Sequence, residues 1–161
     1  LALGSNSVVG IDIDEEGIKE ANERYQSPNC KFQIADIFNL KNTFEEKEFD
    51  VCTSIETFEH LPPEQIDDYL QNLKAVTKET IIITTPRRKT PTWEYKGGTH
   101  LYEYDSKEFH DILRKNFGDT FTVMGGNGVV IYLMLLTTAG SFLLSLTWRN
   151  NGKNYICITE P

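Results

Sequence analysis

Acidic side chains close three separate apolar runs of the 161-residue sequence. Asp12 ends the run VVGID, Asp36 ends CKFQIAD and Glu56 ends FDVCTSIE. Ligands of open α/β sheets bind at the carboxyl ends of the strands, so acids in these positions can contact a nucleotide. The Asp12 carboxylate can accept both ribose hydroxyls of a nucleotide cofactor, and that of Asp36 can accept a hydrogen bond from an adenine amine. Two structural roles stay open: Asp12 and Asp14 could cap the next helix, and Asp36 could bind the amides of its own loop.

Two further candidate functional residues follow Glu56. Glu59 and His60 lie in the stretch SIETFEHLPPE, at the carboxyl end of a third predicted strand. Acids crowded at one sheet edge repel each other unless a cation or hydrogen-bond donors lie among them, and a sulfonium cofactor with an adenosine would meet that need. His60 could act as a general base, because imidazole titrates near neutral pH, or could fix its loop by a structural hydrogen bond.

A later aromatic-rich loop supplies the remaining candidates. His100 is a second candidate base, and His100 and Tyr102, with Trp93 and Tyr95 nearby, could form part of a pocket for an acceptor. The same aromatic side chains could instead anchor the loop to the core. The loop follows the end of a predicted strand, so it can reach the same edge of the sheet.

The elements that must position these groups alternate between strand and helix. Apolar, β-branched runs predict parallel strands, and helical periodicity predicts amphipathic helices with Asp14 and Ser106 as N-caps. Late in the chain come a glycine turn at 125–128, a long apolar stretch and a hairpin turn at 151–152. We therefore expect a single domain over residues 1–161, with a Rossmann-like, doubly wound, mostly parallel α/β sheet and a late antiparallel strand. Strands are predicted at 8–13, 30–36, 49–56, 80–85, 121–123 and 155–159, and helices at 15–25, 62–76 and 106–117.

The segments VVGIDID, FQIAD, FDVCTSIETFEHL, ITTP and GGTHLYEYDSKEF occur in a characteristic order and spacing. In this order the sequence resembles the class I S-adenosylmethionine-dependent methyltransferases, and most closely their small-molecule and O-methyltransferase group. The resemblance implies S-adenosyl-L-methionine as cofactor and methyl transfer to a small-molecule acceptor. It also implies two sets of site residues: for the cofactor Asp12, Ile13, Asp36, Ile37, Ile55 and Glu56, and for the acceptor Glu59, His60, His100 and Tyr102.

One feature of that family is missing from the sequence. Such domains carry a glycine-rich turn roughly 20 residues before the ribose acid, whereas eleven residues precede Asp12. We therefore expect the turn and the first strand to lie upstream of Leu1. Their absence would leave the edge of a neighbouring strand open, and the chain alone would bind the cofactor weakly or not at all.

Composition narrows the classes of partner. Sixteen basic and 24 acidic residues give a net charge of −8, and an acidic surface repels phosphate backbones. Nucleic acid is therefore not the expected partner, and the basic trio at 87–89 is too small to change this. Cys30, Cys52 and Cys157 lie in apolar runs without a C-x-x-C pair or a histidine at metal-ligand spacing. This pattern predicts buried thiols in the reducing cytoplasm and assigns no metal site.

An uncharged stretch at residues 129–148 is long enough to cross a bilayer. Threonine, serine and glycine interrupt it, so buried strands and a core helix are favoured over a membrane span. Three alternatives stay open: a membrane-tethered methyltransferase, an NAD-dependent oxidoreductase that uses Asp12 for a dinucleotide, and a noncatalytic domain that keeps only the fold. The sequence determines neither the acceptor nor the oligomeric state.

Overall fold

Strands and helices alternate along the first two thirds of the chain. The computed structural model describes residues 6–25, 27–87, 99–126, 141–146 and 154–161. Within these ranges the strands are β1 (Ser7–Asp12), β2 (Cys30–Ile34), β3 (Phe49–Ile55), β4 (Thr77–Pro86), β5 (Phe121–Gly126), β6 (Ser141–Leu146) and β7 (Asn154–Thr159). The α-helices are α1 (Glu15–Arg24), α2 (Leu40–Thr43), α3 (Ile66–Val76) and α4 (Ser106–Phe117).

The strands form one seven-stranded sheet in the order β2-β1-β6-β3-β4-β7-β5. The five strands from β2 to β4 in this order are parallel to their neighbours. Only β7 is antiparallel to both of its partners, β4 and β5. This confirms the predicted α/β fold with a mostly parallel sheet and a late antiparallel element.

The position between β1 and β3 holds β6, which comes from the long apolar stretch at 129–148. Ser7 to Ile11 of β1 pair with Ser141 to Ser145, and Val51 to Ile55 of β3 pair with Phe142 to Leu146. The expectation of an open edge beside β1 is therefore wrong, because a strand from late in the chain occupies that place. The remainder of the apolar stretch lies outside the described residues.

The ends of several elements differ from the sequence predictions. Helix α4 spans the predicted residues, but its N-cap is Asp105 rather than Ser106. Asp105 and Glu108 form a reciprocal capping box, which satisfies two backbone amides at once. Gly125 and Gly126 belong to β5 instead of a turn, because both pair with β7. The predicted hairpin turn at 151–152 lies outside the described residues.

Buried side chains cover both faces of the sheet. Ile81 and Ile83 of β4 point into a large cluster, whereas Ile82 between them joins a smaller cluster with Val8 and Val51. Burial on both faces explains why the middle of β4, Ile81–Ile83, is apolar at three successive positions. Helices α3 and α4 supply much of the larger cluster, including Tyr69, Leu70, Leu73, Phe109, Leu113 and Phe117.

No described helix combines the length and the apolar character that crossing a bilayer requires.

Candidate functional site

Asp12, Asp36 and Glu56 lie at one edge of the sheet. Asp12 is the last residue of β1, Asp36 follows β2 by two residues, and Glu56 follows β3 directly. These strands belong to the parallel part of the sheet, so their carboxyl ends point the same way. The edge is also hydrogen-bonded across strands, since the Ala35 amide donates to the Asp12 carbonyl oxygen over 3.0 Å.

Asp12 and Asp14 have different roles at the end of β1. Asp14 is the N-cap of α1, as predicted, and its carboxylate accepts from the amides of Glu16 and Gly17. Asp12 does not cap the helix; its Oδ1 accepts the Asp14 amide over 3.0 Å. The Ile13 side chain between them is 73% exposed. An isoleucine left in solvent beside a half-buried carboxylate offers an apolar surface to a ligand.

Asp36 fulfils part of the structural role that the sequence left open. Its Oδ1 accepts the Phe38 amide over 2.9 Å and caps a short 3₁₀ turn at Ile37–Asn39. Asp36 itself is exposed, and Ile37 is half-buried against the larger core cluster. The turn therefore fixes where Asp36 stands at the sheet edge.

Glu56 has a constrained backbone. Its φ of 53° lies in the left-handed region, which costs free energy for a residue with a Cβ and is concentrated at functional sites. The Glu56 amide donates to the Thr84 carbonyl oxygen over 3.1 Å, and the Thr84 hydroxyl donates to Glu56 Oε1 over 2.9 Å. Sequence reasoning missed Thr84. The signal was its place at the end of β4, the strand that pairs with β3 at Ile55.

Glu59 is a buried acid, with its side chain fully shielded from solvent. The Thr85 hydroxyl donates to Glu59 Oε2 over 3.0 Å, whereas Oε1 is buried and has no hydrogen-bond partner among the described residues. The pKa of the Glu59 carboxyl is raised to about 7, chiefly by burial and less by the nearby Glu56 charge, while the hydrogen bond from the Thr85 hydroxyl opposes the rise. An orphaned oxygen on a buried acid is uncommon, because leaving it unpaired costs free energy.

The Glu59 backbone brings a distant segment to the site. Its carbonyl oxygen accepts the amides of Leu101 and Tyr102 over 2.8 and 3.1 Å. These bonds hold His100 beside the 3₁₀ turn Phe58–His60 that follows β3. The two halves of the predicted acceptor set, which are far apart in sequence, therefore meet at one place.

The His60 and His100 rings lie perpendicular, with centroids 5.0 Å apart. His60 Nδ1 is 2.9 Å from the Thr99 carbonyl oxygen, and His100 Nδ1 is 2.9 Å from Glu103 Oε1. His60 therefore has the structural hydrogen bond that the sequence allowed, while its other nitrogen stays on the side of Glu59.

Tyr102 is half-buried, and its hydroxyl donates to Glu108 Oε1 over 2.9 Å. This bond ties the loop to the first turn of α4, which supports the anchoring role for Tyr102 and keeps it close to His100. The predicted neighbours Trp93 and Tyr95 lie outside the described residues.

A family model described as a methyltransferase domain matches residues 1–80. This part of the chain contains Asp12, Asp36 and strand β3, together with Glu59 and His60 in the turn that follows β3. The chain belongs to the S-adenosylmethionine-dependent methyltransferases. The cofactor of this methyltransferase is S-adenosyl-L-methionine. No curated protein sequence matches the chain.

Solved structures share the fold of this methyltransferase at low sequence identity. A SAM-dependent methyltransferase from Archaeoglobus fulgidus is 18% identical with a TM-score of 0.62, over 95% of this chain and 75% of the other. Magnesium protoporphyrin IX methyltransferase from Synechocystis PCC 6803, with bound SAH, is 17% identical with a TM-score of 0.58, over 96% and 64%. The [4+2]-cyclase SpnF is 13% identical with a TM-score of 0.62, over 96% and 67%. The fold by itself therefore does not fix the reaction.

Proposed function

We propose that this methyltransferase binds S-adenosyl-L-methionine along the carboxyl edge of β1, β2 and β3 and transfers its methyl group to a small-molecule acceptor. The observation that carries the proposal is the series of acids at that edge, Asp12, Asp36 and Glu56, at the ends of parallel strands. Nucleotides bind at the carboxyl edge of such sheets, and the three acids provide the acceptors that an adenosine and an amino group need.

Each of the proposed cofactor residues is assigned to one part of the cofactor. Asp12 would hold the ribose hydroxyls, because Asp14 performs the capping and Asp12 accepts only a turn amide among its described hydrogen bonds. Exposed Ile13 would contact the adenine side. Asp36 would accept from the adenine amine, with the Ile37 backbone beside the ring.

Ile55 and Glu56 would line the methionine side of the cofactor. The positive φ of Glu56 and its hydrogen bonds to Thr84 hold its carboxylate at the end of β3, between the cofactor residues and Glu59. A carboxylate in this position suits the ammonium group of the methionine moiety.

The acceptor would enter beside Glu59, His60, His100 and Tyr102. The bound cofactor supplies an electrophilic methyl group on a sulfonium. The task of the protein is to align the acceptor with that methyl group and to exclude water. Where the acceptor must lose a proton, His60 or His100 is placed to take it, since each is about one-third exposed and adjoins the cofactor edge.

Charge and cysteine usage support a small-molecule acceptor in the cytoplasm. The net charge of −8 opposes binding to nucleic acid. Cys52 and Cys157 are buried free thiols, as is usual in a reducing compartment. We further propose that residues 1–161 belong to one methyltransferase domain, since a single sheet runs from β1 to β7.

Isothermal titration of the full-length protein with S-adenosylhomocysteine tests the cofactor site. We expect Asp12→Asn to weaken binding at least about tenfold, because a charged acceptor of two hydroxyl hydrogen bonds is lost. Asp14→Asn is the matched control: it removes the same charge two residues away, and asparagine caps a helix as well as aspartate. Equal affinity of Asp12→Asn and the unmodified protein would show that the assignment of Asp12 is wrong.

A further inference from the structure

Three metal-ligating side chains from two distant segments meet beside the cofactor edge. Glu59, His60 and His100 each offer one ligand atom, and these atoms lie within 4.8 Å of one another. Among the residues that the structure describes, this is the one group of its kind. The sequence predicted no metal site, because no histidine lies at metal-ligand spacing from any cysteine.

Both imidazoles expose their Nε2 lone pair to Glu59. A carbonyl oxygen can only accept, so His60 Nδ1 carries the hydrogen that it donates to Thr99. The carboxylate of Glu103 likewise receives the Nδ1 hydrogen of His100. In the neutral rings the Nε2 atoms are then acceptors, 3.8 and 4.0 Å from Glu59 Oε1. Three acceptor atoms thus surround one point with no donor among them.

With Glu59 ionised, a cation bound by all three atoms would satisfy this arrangement. The distances of 3.8 and 4.0 Å are too long for hydrogen bonds between the groups themselves. Metal–nitrogen and metal–oxygen bonds of about 2.1 Å allow two ligand atoms of one ion to lie up to about 4.2 Å apart. Both distances to Glu59 Oε1 lie below this limit, and among the described residues that buried oxygen has no hydrogen-bond partner.

The surroundings also match those of ligands that bind metals. Metal-binding histidines donate their other ring hydrogen to a carbonyl or carboxylate oxygen, which orients the ring. His60 has the Thr99 carbonyl for this, and His100 has Glu103. The Thr85 hydroxyl orients the Glu59 carboxylate in the same way through Oε2. All three ligands are held by independent hydrogen bonds before any ion binds.

We propose that Glu59, His60 and His100 bind a divalent first-row transition metal ion such as Zn²⁺, Mn²⁺ or Fe²⁺. Two imidazoles and one carboxylate suit these ions better than Mg²⁺ or Ca²⁺, which prefer oxygen ligands. Three protein ligands leave coordination positions open. An acceptor oxygen would occupy one of them, a second step that rests on the proposed function. The ion would then orient that oxygen and favour its deprotonation, in place of proton transfer to His60 or His100, whose Nε2 atoms it would occupy.

Metal uptake by the full-length protein provides the test. Protein stripped with a chelator is titrated calorimetrically with Zn²⁺ and with Mn²⁺, and Co²⁺ is added separately to record the visible spectrum of a nitrogen- and oxygen-bound ion. We expect one ion per chain. His100→Ala should lower the affinity by more than about 100-fold, since loss of a direct ligand exceeds the 10–100-fold effect of an outer partner.

His110→Ala is the matched control. His110 is the third histidine of the chain, lies on α4 and forms its described hydrogen bond with the Ser106 carbonyl oxygen. Its removal should leave metal affinity unchanged. Glu103→Gln, which weakens the partner of His100, should lower affinity about 10–100-fold without removing a ligand.

Failure of the stripped protein to bind any of the three ions would overturn the proposal, and so would equal affinity in His100→Ala and His110→Ala. His100 is part-exposed, so its replacement should leave the fold intact, and a thermal melt of the metal-free variant checks this. S-adenosylhomocysteine binding, measured in the same variants, separates the two proposals. If Asp12→Asn abolishes that binding while no metal binds, only the metal site is wrong.

Discussion

Two of the three cysteine side chains are inaccessible in the folded protein. Cys52 and Cys157 are fully buried, and burial raises the pKa of each thiol to about 12. Cys30 on the edge strand β2 is only partly buried, and burial raises its pKa as well. The thiolate is the reactive form, so exposure and pKa both rank Cys30 as the most reactive thiol.

We expect a disulfide reagent at pH 8 to label Cys30 in the folded protein, and Cys52 and Cys157 only after unfolding. Cys30→Ser should abolish labelling of the folded state; rapid labelling of that variant would contradict the described burial.

The raised pKa values of Cys52 and Cys157 also have a consequence for stability. Between about pH 9 and 12 the unfolded chain loses these protons first, so the free energy of unfolding should fall as pH rises.

Residue types and strand ends were enough to predict that three acids lie at one edge of the sheet. Asp12, Asp36 and Glu56 could be assigned to one edge, because parallel strands place their carboxyl ends together. The cluster of Glu59 with two imidazoles could not be predicted in this way. Thr99 lies 39 positions after His60 in the sequence, and the approach of the two segments depends on amides that bind the Glu59 carbonyl oxygen.

Between strands β1 and β2, packing depends on a glycine. Gly10 is buried and pairs with Phe32 in the parallel ladder. A Cβ on Gly10 would lie 2.8 Å from Phe32 Cε1 and closer still to Cδ1. The ring therefore occupies the space that any side chain at position 10 would need.

Gly10→Ala should lower the free energy of unfolding by about 1–3 kcal/mol through overpacking, measured by urea denaturation. The double-mutant cycle identifies the cause. In a Phe32→Ala background the ring is gone, so Gly10→Ala should cost much less. An equal cost in both backgrounds would show that the ring contact is not responsible.

Local patterns predicted the helices better than the strand order. The apolar period of α4 gave its range, although the N-cap was assigned to Ser106, one residue after Asp105. Strand β6 could not be located, because the uncharged stretch that contains it has no regular polar–apolar alternation to set a register. Its pairing partners are the edges of β1 and β3 that face each other, and that arrangement is a property of the whole sheet.

Strand β6 connects the two halves of the sheet. Among the described strands, β1 pairs with β2 and β6, and β3 pairs with β4 and β6. Strand β6 separates the acids of the candidate site: Asp12 and Asp36 lie on one side of it and Glu56 on the other. Their relative position depends on a strand that carries none of them.

Leu144→Pro tests the central position of β6. Each residue of an interior strand donates its amide to a neighbour, so proline removes a ladder bond, and we expect a loss of about 3 kcal/mol or more. Leu144→Val keeps the amide and suits a strand, so it should have a small effect. Equal melting temperatures for the two variants would contradict the pairing of β6 with β1 and β3.

The order of the strands has a consequence for synthesis of the protein. While a ribosome is still making the chain, β1 with β2 and β3 with β4 can form only as separate ribbons. They can join through β6 only after residue 146 has emerged, since β6 follows all four of these strands in the chain. Contacts between segments so distant along the chain form slowly. A ligand that spans both ribbons would then bind only to chains that have completed this final insertion, and would stabilise them against its reversal.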